Sequence, residues 1–241
     1  MPYNNAGQEF VIISKEKGKR SYIRFIETGY ECIASNGNIK TGSVKDLFNP
    51  SVYGVGFVGA GPHKVSDNQK HTKEYRLWTG MLERCYSAAY QGKFPTYIGC
   101  SVDEQWHNFQ EFAEWCQWQK GFKEKDYHLD KDILSLDIKS YSPSTCCFVH
   151  KDINTFLNVN TKQRGMNFLG IYEHCNKYIP RINYKLTDKV RAKACETPEE
   201  AFTIYRDWKI ECVKVLIERY HENMEYRVIE KFRLFDVTKS M

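Results

Sequence analysis

Three residues near the middle of the chain have side chains suited to phosphodiester hydrolysis. His128 ends a short strand pattern, Asp130 follows two residues later, and Asn154 lies in a helical pattern further along. The reaction needs a base that deprotonates water, a cation that neutralises charge on the phosphate, and ligands that hold the cation. An imidazole can act as the base, and carboxylate and amide oxygens favour Mg²⁺ over Zn²⁺.

The segments around these residues predict a strand–strand–helix unit that would bring them together. YHLDKDIL is a strand edge followed by a loop, and YSPST is a turn in which Pro143 bars a regular strand. CCFVH is a second short strand, and KDINTFL opens a helix. This order predicts a ββα unit in which the strand pair folds back against the helix.

The chain resembles the HNH homing endonucleases that phages carry. The resemblance lies in the order of the motifs along the chain more than in any single tripeptide. The resemblance covers roughly residues 20 to 215. The matching motifs are Tyr127-His-Leu-Asp-Lys-Asp, Tyr141-Ser-Pro-Ser-Thr-Cys, Phe148-Val-His-Lys-Asp-Ile-Asn154, the upstream Tyr75-x-x-Trp78-x-x-Met81-x-x-Arg84-Cys85-Tyr86 and Trp106-x-x-Phe109-x-x-Phe112.

The resemblance implies an endonuclease that cuts double-stranded DNA with one divalent metal ion, Mg²⁺ by preference. His128 matches the general base of the family, and Asn154 matches its helix-borne metal ligand. Asp130 is a further ligand candidate, and Asp132 is the alternative to it. A lone His beside an Asp is otherwise typical of a surface or hydrogen-bonded residue, and Asn154 is also compatible with bracing the helix.

Two departures from the family pattern concern the same site. Tyr127 stands where many HNH sites have an acidic ligand, and Thr145 stands where an Asn that braces the loop and orients the His is expected. His150 is an added candidate, because it precedes Asn154 by one helical repeat and could face the same side of the helix start.

A basic segment follows and predicts a surface that holds DNA. FLGIYEH, KYIPRINYK and KVRAKAC indicate three strands, and a helix begins at Thr197 with a capping box. Strand period two would put Arg181 and alternate residues on one face, from which Arg can contact phosphates and guanine edges. The candidate DNA contacts are Lys177, Tyr178, Arg181, Lys185, Arg191 and Lys193, with Lys189, Tyr172 and Tyr184 among them in sequence.

This segment resembles the AP2-type DNA-binding domain, in which three strands pack on one amphipathic helix. The landmarks are Gly170-Ile-Tyr172, Lys177-Tyr-x-x-Arg181-Ile and Thr197-Pro-Glu-Glu-Ala201-Phe-x-x-Tyr205. The resemblance implies that the sheet contacts duplex DNA. A solvated basic sheet without a ligand is the alternative.

The remaining patterns predict an α+β protein built from modules. Helices are expected over roughly 73–90 and 104–119, with aromatic stripes that form core. Short strands precede them, followed by a glycine-rich linker in SVYGVGFVGAGP. The expected ranges are a small β module over 1–62, an HNH-like nuclease core over 70–160, an AP2-like domain over 165–220 and a tail over 221–241.

Composition sets further expectations. The net charge of +5 is compatible with nucleic acid. The nine cysteines lack a CxxC pair, which favours free thiols over zinc and disulfides, and no signal-peptide or membrane-spanning pattern appears, so a cytoplasmic protein is expected. One ββα unit without a heptad seam predicts a monomer that nicks DNA. The rival interpretations are a DNA-binding protein that has lost the nuclease, and a phage protein that binds a host protein.

Overall fold

The computed structural model describes residues 2–135, 138–157, 170–183 and 185–234. The fold is mixed α+β with small sheets, which confirms the predicted class at that level. The described residues fall into two compact units. The first comprises those of Met1–Cys116 with Lys139–Ser142, and the second those of Gln117–Ile138 with Pro143–Met241.

The elements follow the chain in this order. Up to Trp118 they are β1 (Phe10–Glu16), β2 (Arg20–Phe25), β3 (Glu31–Ser35), α1 (Asn36–Thr41), β4 (Ser66–Asp67), β5 (Lys70–His71), α2 (Lys73–Tyr86), α3 (Ala88–Lys93), β6 (Ser101–Val102) and α4 (Phe109–Trp118). After it they are β7 (Tyr127–Asp130), β8 (Ser140–Tyr141), β9 (Cys147–His150), α5 (Lys151–Leu157), β10 (Ile171–His174), β11 (Lys177–Pro180), α6 (Pro198–Tyr220) and α7 (Tyr226–Arg233).

The first unit opens with the predicted short strands, which form an antiparallel sheet of order β1-β2-β3. Period-two alternation puts Phe10, Ile23 and Phe25 on one buried face, where Val44 packs against them. The sheet therefore has a small core of its own.

The helices of the first unit bury the predicted aromatic stripes. Trp78 and Trp106 are fully buried, and the indole N–H of Trp78 donates to the Trp106 carbonyl at 2.7 Å. The helix predicted to run on to residue 90 ends at Tyr86, because the Ser87 hydroxyl accepts from the Tyr90 amide and starts α3. In place of one helix over 104–119, a 3₁₀ turn at Glu104–His107 precedes α4.

The glycine-rich segment before α2 packs closely within the first unit, although its pattern predicted a linker. A Cβ on Gly56 would lie 2.4 Å from a Leu82 methyl carbon, and one on Gly59 would lie 2.1 Å from the Asn108 side-chain oxygen. Gly59 also has a φ of +69°. Close approach of the backbone explains these glycines.

Two residues of the sequence motifs meet in the first unit. Arg84 on α2 is half-buried and hydrogen-bonds with the side chain of Tyr141 on β8. Burial raises the pKa of the Tyr141 hydroxyl well above its ordinary value. The arginine of the upstream motif therefore anchors the first residue of the Tyr-Ser-Pro turn.

The second unit is arranged around α6. Thr197 caps this helix through a hydrogen bond from the Glu200 amide at 3.2 Å, and Pro198 is its first residue, as predicted. The Glu200 carboxylate accepts from the Glu196 amide instead of completing the predicted box at Thr197. The first turns of α6 pack on Ile171 and neighbouring apolar residues of the β10–β11 hairpin.

The rest of α6 packs on the ββα unit. One buried cluster joins Trp208 and Leu216 of α6 with Val149 of β9 and Ile153 of α5. Helix α7 completes this cluster with Val228 and Phe232, in the tail over 221–241 that the sequence left unassigned. The same long helix thus supports the hairpin at one end and the ββα strands along the rest of its length.

The third predicted strand of the basic segment does not form. Residues 189–194 have no regular element, and only Cys195 makes an isolated bridge with Tyr178. The β10–β11 sheet is therefore two-stranded. Tyr184, Phe168 and Leu169 of the predicted strands lie outside the described residues.

All nine cysteines are free thiols, and all except Cys32 and Cys175 are buried, in line with the sequence prediction. Among the helices of the described ranges, none combines the length and apolar character needed to cross a lipid bilayer.

One charged side chain lies inside the second core. Lys209 is 5% exposed, and its ammonium donates to the Phe156 carbonyl at 2.9 Å and lies 3.9 Å from the centroid of the Phe156 ring. Burial lowers the pKa of Lys209 to about 8. The carbonyl and the ring offset only part of the cost of removing the charge from water.

We predict that Lys209→Met changes how stability depends on pH. Unfolded lysine has a pKa of about 10.4, so between about pH 8 and 10 the unfolded chain binds a proton that the native chain has released. The Lys209 contribution therefore stabilises the native state as pH rises through that window, by up to ~1.4 kcal/mol per pH unit.

Urea denaturation of wild type and Lys209→Met at pH 7.0, 8.5 and 9.5 measures this effect as a difference, in which titrations common to both proteins largely cancel. The free energy of unfolding of wild type should rise relative to that of the variant above about pH 8. A difference that stays constant with pH contradicts the assignment.

Candidate functional site

The ββα unit predicted from the sequence is present in the second unit. Strands β7 and β9 pair antiparallel, with His128 opposite Val149 and Asp130 opposite Cys147. Residues opposite each other share a face of the pair, and alternate residues of one strand point the same way. His128 and Asp130 therefore lie on one face with Val149 and Cys147.

That face is the one on which α5 packs. Val149 and Cys147 are fully buried in the cluster that contains Ile153 and Phe156 of α5. His128, by contrast, is exposed. Across the described part of the chain, no residue hydrogen-bonds with its ring. The imidazole is thus held by a buried strand pair and is open to a ligand from solvent.

Asp130 is half-buried two residues further along β7. One carboxylate oxygen, Oδ1, accepts from the backbone amides of Asp132 and Ile133, both at 2.9 Å. Burial raises the pKa of Asp130, and these two hydrogen bonds lower it by less. The carboxyl group is oriented by the backbone, yet its negative charge is poorly compensated.

The neighbouring charges do not balance Asp130. The ammonium of Lys131 pairs with the carboxylate of Asp132, which is itself more exposed than Asp130. Asp132, the alternative ligand, is therefore already engaged by a lysine. The described ion pairs give Asp130 no basic partner.

Asn154 lies in the middle of α5, between the buried Ile153 and Phe156, and is half-buried with interactions of its own. The structure thus places His128 and Asp130 on one face of the strand pair and Asn154 on the helix that packs against this face.

The chemistry of these donors fits a divalent cation. A half-buried, oriented carboxylate whose charge Lys131 compensates only in part is stabilised by a cation, and the Asn154 amide adds a second oxygen of the kind that Mg²⁺ binds. Among the described residues, no group of three or more His, Cys, Asp or Glu side chains is arranged as a metal site. The candidate set has only two of these types, His128 and Asp130.

His150 does not belong to this face. It is the last residue of β9, opposite Tyr127, and its ring stacks on Tyr220 with centroids 4.2 Å apart. Its Nδ1 lies 3.5 Å from a carboxylate oxygen of Asp152. Because α5 begins at Lys151, the helical offset between His150 and Asn154 that suggested a shared side does not apply.

The two departures from the HNH pattern are both buried. Tyr127 is 7% exposed on the face opposite His128, and burial raises the pKa of its hydroxyl. Its ring meets His150 edge-on with centroids 5.5 Å apart. Thr145 is 4% exposed in the turn before β9. Tyr127 therefore packs as core and offers no carboxylate to the His128 face.

The β10–β11 hairpin presents a second candidate surface. Its register places Ile171 and Tyr178 on the side of α6, and Tyr172, Lys177 and Arg181 on the outer side. The Arg181 guanidinium lies 5.6 Å from the centroid of the Tyr172 ring. This cation–π contact places an exposed arginine on the outer side of the hairpin.

The predicted DNA contacts differ in their surroundings. Tyr178 is half-buried against the Ile171–Ala201 cluster, so it supports the hairpin from the side of α6. Tyr172, which is not among the predicted contacts, is the aromatic residue on the outer side. Strand alternation from Arg181 could have excluded Tyr178, whereas Tyr172 is placed only by the register of β10 against β11.

The basic side chains near the hairpin are mostly exposed. Ion pairs join Lys177 to Glu196, Arg191 to Asp188 and Lys189 to Glu211. In the described ranges, neither Lys185 nor Lys193 forms an ion pair. Exposed pairs contribute only about 0–1 kcal/mol, so a phosphate can displace Glu196 and Asp188 at little cost, whereas Glu211 is only 16% exposed.

Comparisons with protein-family models, with curated proteins and with solved structures found no match to this chain.

We predict that Asp130→Asn weakens binding of a divalent cation. The asparagine keeps an oxygen that can accept from the Asp132 and Ile133 amides, and it removes the charge. Loss of even an outer-shell partner typically costs 10–100-fold in metal affinity, so titration calorimetry with Mn²⁺ should give a Kd at least about tenfold higher.

Asp132→Asn is the matched control, since it removes a more exposed carboxylate two residues away. It should bind Mn²⁺ with the wild-type Kd. Loss of binding in Asp132→Asn with normal binding in Asp130→Asn would transfer the ligand role to Asp132.

Proposed function

We propose that this chain is a metal-dependent endonuclease that hydrolyses phosphodiester bonds of duplex DNA. The observation that carries the proposal is the shared face of His128 and Asp130 on a strand pair that packs against the helix of Asn154. In this proposal the ββα unit is of the HNH kind. The β10–β11 hairpin and the first turns of α6 form an AP2-like, two-stranded DNA-binding surface, which is called the grip below.

The proposed reaction begins with water next to His128. The exposed imidazole accepts a proton from the water while the water oxygen attacks phosphorus. The bond from phosphorus to O3′ breaks, and O3′ takes up a proton to leave a 3′-hydroxyl and a 5′-phosphate. The His128 ring is exposed to solvent, and the strand that carries it is fixed by buried neighbours. Both properties suit a base that must reach a bulky substrate.

Asp130 and Asn154 would hold the metal ion through oxygen atoms. When bound, a divalent cation neutralises charge that builds on the phosphate and on the departing O3′. The two backbone amides at Asp130 fix the direction of its carboxylate, and burial of Val149 and Ile153 fixes the strand and helix that carry the ligands. Rigid ligands keep the cation in a single position.

The grip would bind DNA through its exposed cations and through an arginine that lies over a tyrosine ring. Lys185 and Lys193 supply exposed cations, and Arg181 supplies a planar guanidinium held by Tyr172. Arg is suited to bidentate contacts with phosphate or guanine. Contacts to the DNA backbone would set affinity and position the duplex.

A DNA-binding protein without nuclease activity is the second candidate. It is favoured by Tyr127, which is buried on the opposite face where many HNH sites have an acidic ligand. The two candidates share the grip and differ in cutting, so one assay separates them.

We predict that His128→Ala abolishes Mg²⁺-dependent nicking and leaves DNA affinity nearly unchanged. Removing a general base typically lowers the rate by ~10²–10⁴. The measurement is conversion of supercoiled plasmid with Mg²⁺ and with EDTA, alongside DNA affinity by fluorescence anisotropy. At limiting enzyme, nicked circles should accumulate before linear DNA, as expected for one active site.

His221→Ala is the matched control, because His221 is an exposed histidine of the same unit whose ring contacts only a backbone carbonyl among described residues. It should nick at the wild-type rate. Equal rates for His128→Ala and wild type exclude His128 as the base, and binding without any nicking by wild type supports the second candidate.

We predict that Arg181→Gln and Lys193→Gln each weaken DNA binding and flatten its salt dependence. Each lost phosphate contact reduces the slope of log K against log salt concentration by about 0.9. Arg206→Gln is the control, because Arg206 is an exposed arginine of α6 that pairs with Asp207. Unchanged slopes in both hairpin variants would exclude this surface as the grip.

A further inference from the structure

One guanidinium holds the turn that leads into β9. Arg227 on α7 donates through Nη1 to the carbonyls of Pro143 and Ser144, both at 3.0 Å, and through Nη2 to the carbonyl of Cys146 at 2.7 Å. Its Nε donates to a carboxylate oxygen of Glu225 at 2.6 Å. Three carbonyls of one turn thus converge on a single side chain.

The geometry requires an arginine. A guanidinium presents five N–H donors in a fixed planar fork, whereas a lysine ammonium is a compact donor on a flexible stem. The side chain of Glu225, 16% exposed, fixes the fork from its Nε side. Val228, the next residue along the chain, is fully buried and anchors the helix.

The turn that Arg227 holds is directly connected to the Asp130 strand. Cys146 precedes Cys147, and Cys147 pairs with Asp130 across the strand pair. A shift of the Cys146 carbonyl would therefore move the first residue of β9 and, through the ladder, the Asp130 backbone. His128 lies on the same strand two residues earlier.

We propose that Arg227 is a positioning residue of the candidate nuclease, which acts by holding the Pro143–Cys146 turn and thereby the face that carries Asp130 and His128. The proposal rests on the proposed function. It gives one residue of α7 a role in the candidate nuclease, although Arg227 lies far from the ββα unit in sequence.

The test compares Arg227→Ala and Arg227→Lys with Arg233→Ala. Arg233 is an exposed arginine of the same helix that pairs only with Glu230 among described residues. Single-turnover nicking should fall about 10- to 100-fold in both Arg227 variants, since small misplacements cost rates of this order. The Mg²⁺ concentration for half-maximal rate should rise, while DNA affinity and the rate of Arg233→Ala stay at wild-type values.

Two further measurements separate positioning from a general loss of stability. Guanidinium ion at low millimolar concentration should restore part of the nicking by Arg227→Ala, and it should not restore nicking by His128→Ala. Amide hydrogen exchange in β7 and β9 should be faster in both Arg227 variants than in wild type or Arg233→Ala.

The outcomes decide the two proposals separately. Wild-type nicking, Mg²⁺ dependence and exchange in Arg227→Ala would overturn the role of Arg227. A fall in nicking that Arg227→Lys fully avoids would also overturn it, because charge alone would then suffice. If wild type does not nick, the proposed function fails, and exchange in β7 and β9 decides whether Arg227 holds the turn and strand.

Discussion

The antiparallel register of β7 and β9 determines which side chains face α5. With His128 opposite Val149 and Asp130 opposite Cys147, two polar residues share a face with two of the most buried residues of the unit. A shift of one residue would turn Tyr127 and Leu129 toward the helix. Burial of Val149 and Cys147 against Ile153 opposes that shift, so the same packing that stabilises the core selects the candidate site.

Two charged side chains of the second unit, Lys209 and Asp130, differ in how their surroundings compensate the charge. Lys209 is packed among aromatic rings and donates to the Phe156 carbonyl, which leaves its charge little access to solvent. Asp130 is half-buried, with one oxygen satisfied by amides and no described basic partner. In the proposed function a cation completes the Asp130 environment, whereas Lys209 serves the packing between α5 and α6.

Features coded by neighbouring residues could be predicted from the sequence. The YHLDKDIL and CCFVH segments on either side of the Pro143 turn predicted β7 and β9, and KDINTFL predicted α5. The Thr197 and Pro198 pattern predicted the start of α6. The aromatic stripes of α2 and α4 were core, because their 3.6-residue period required one buried face. These signals depend on local conformation and on the side chains that supply the core.

Features that depend on a distant partner could not be predicted in the same way. Residues 189–195 have the pattern of a strand, but β11 ends at Pro180 and they add no third strand to its sheet. Lys189 and Arg191 form ion pairs with Glu211 and Asp188. The boundary between β9 and α5 was predicted at His150, but the helical offset to Asn154 was still applied to His150, whose contact with Tyr220 of α6 has no local signal. Val228 and Phe232, which lie at helical spacing, could have indicated α7. No local pattern could have indicated that Arg227 of this helix contacts the Pro143 turn.

In the proposed function, the His128 face binds a metal ion that is used to cut DNA. The most direct measurement is anomalous diffraction from crystals of the full chain grown with duplex DNA and Mn²⁺. The account predicts an anomalous peak within about 2.5 Å of oxygens of Asp130 and Asn154, with the scissile phosphate between the peak and His128. A peak on other residues, or none, in crystals of protein that still cuts DNA would contradict it.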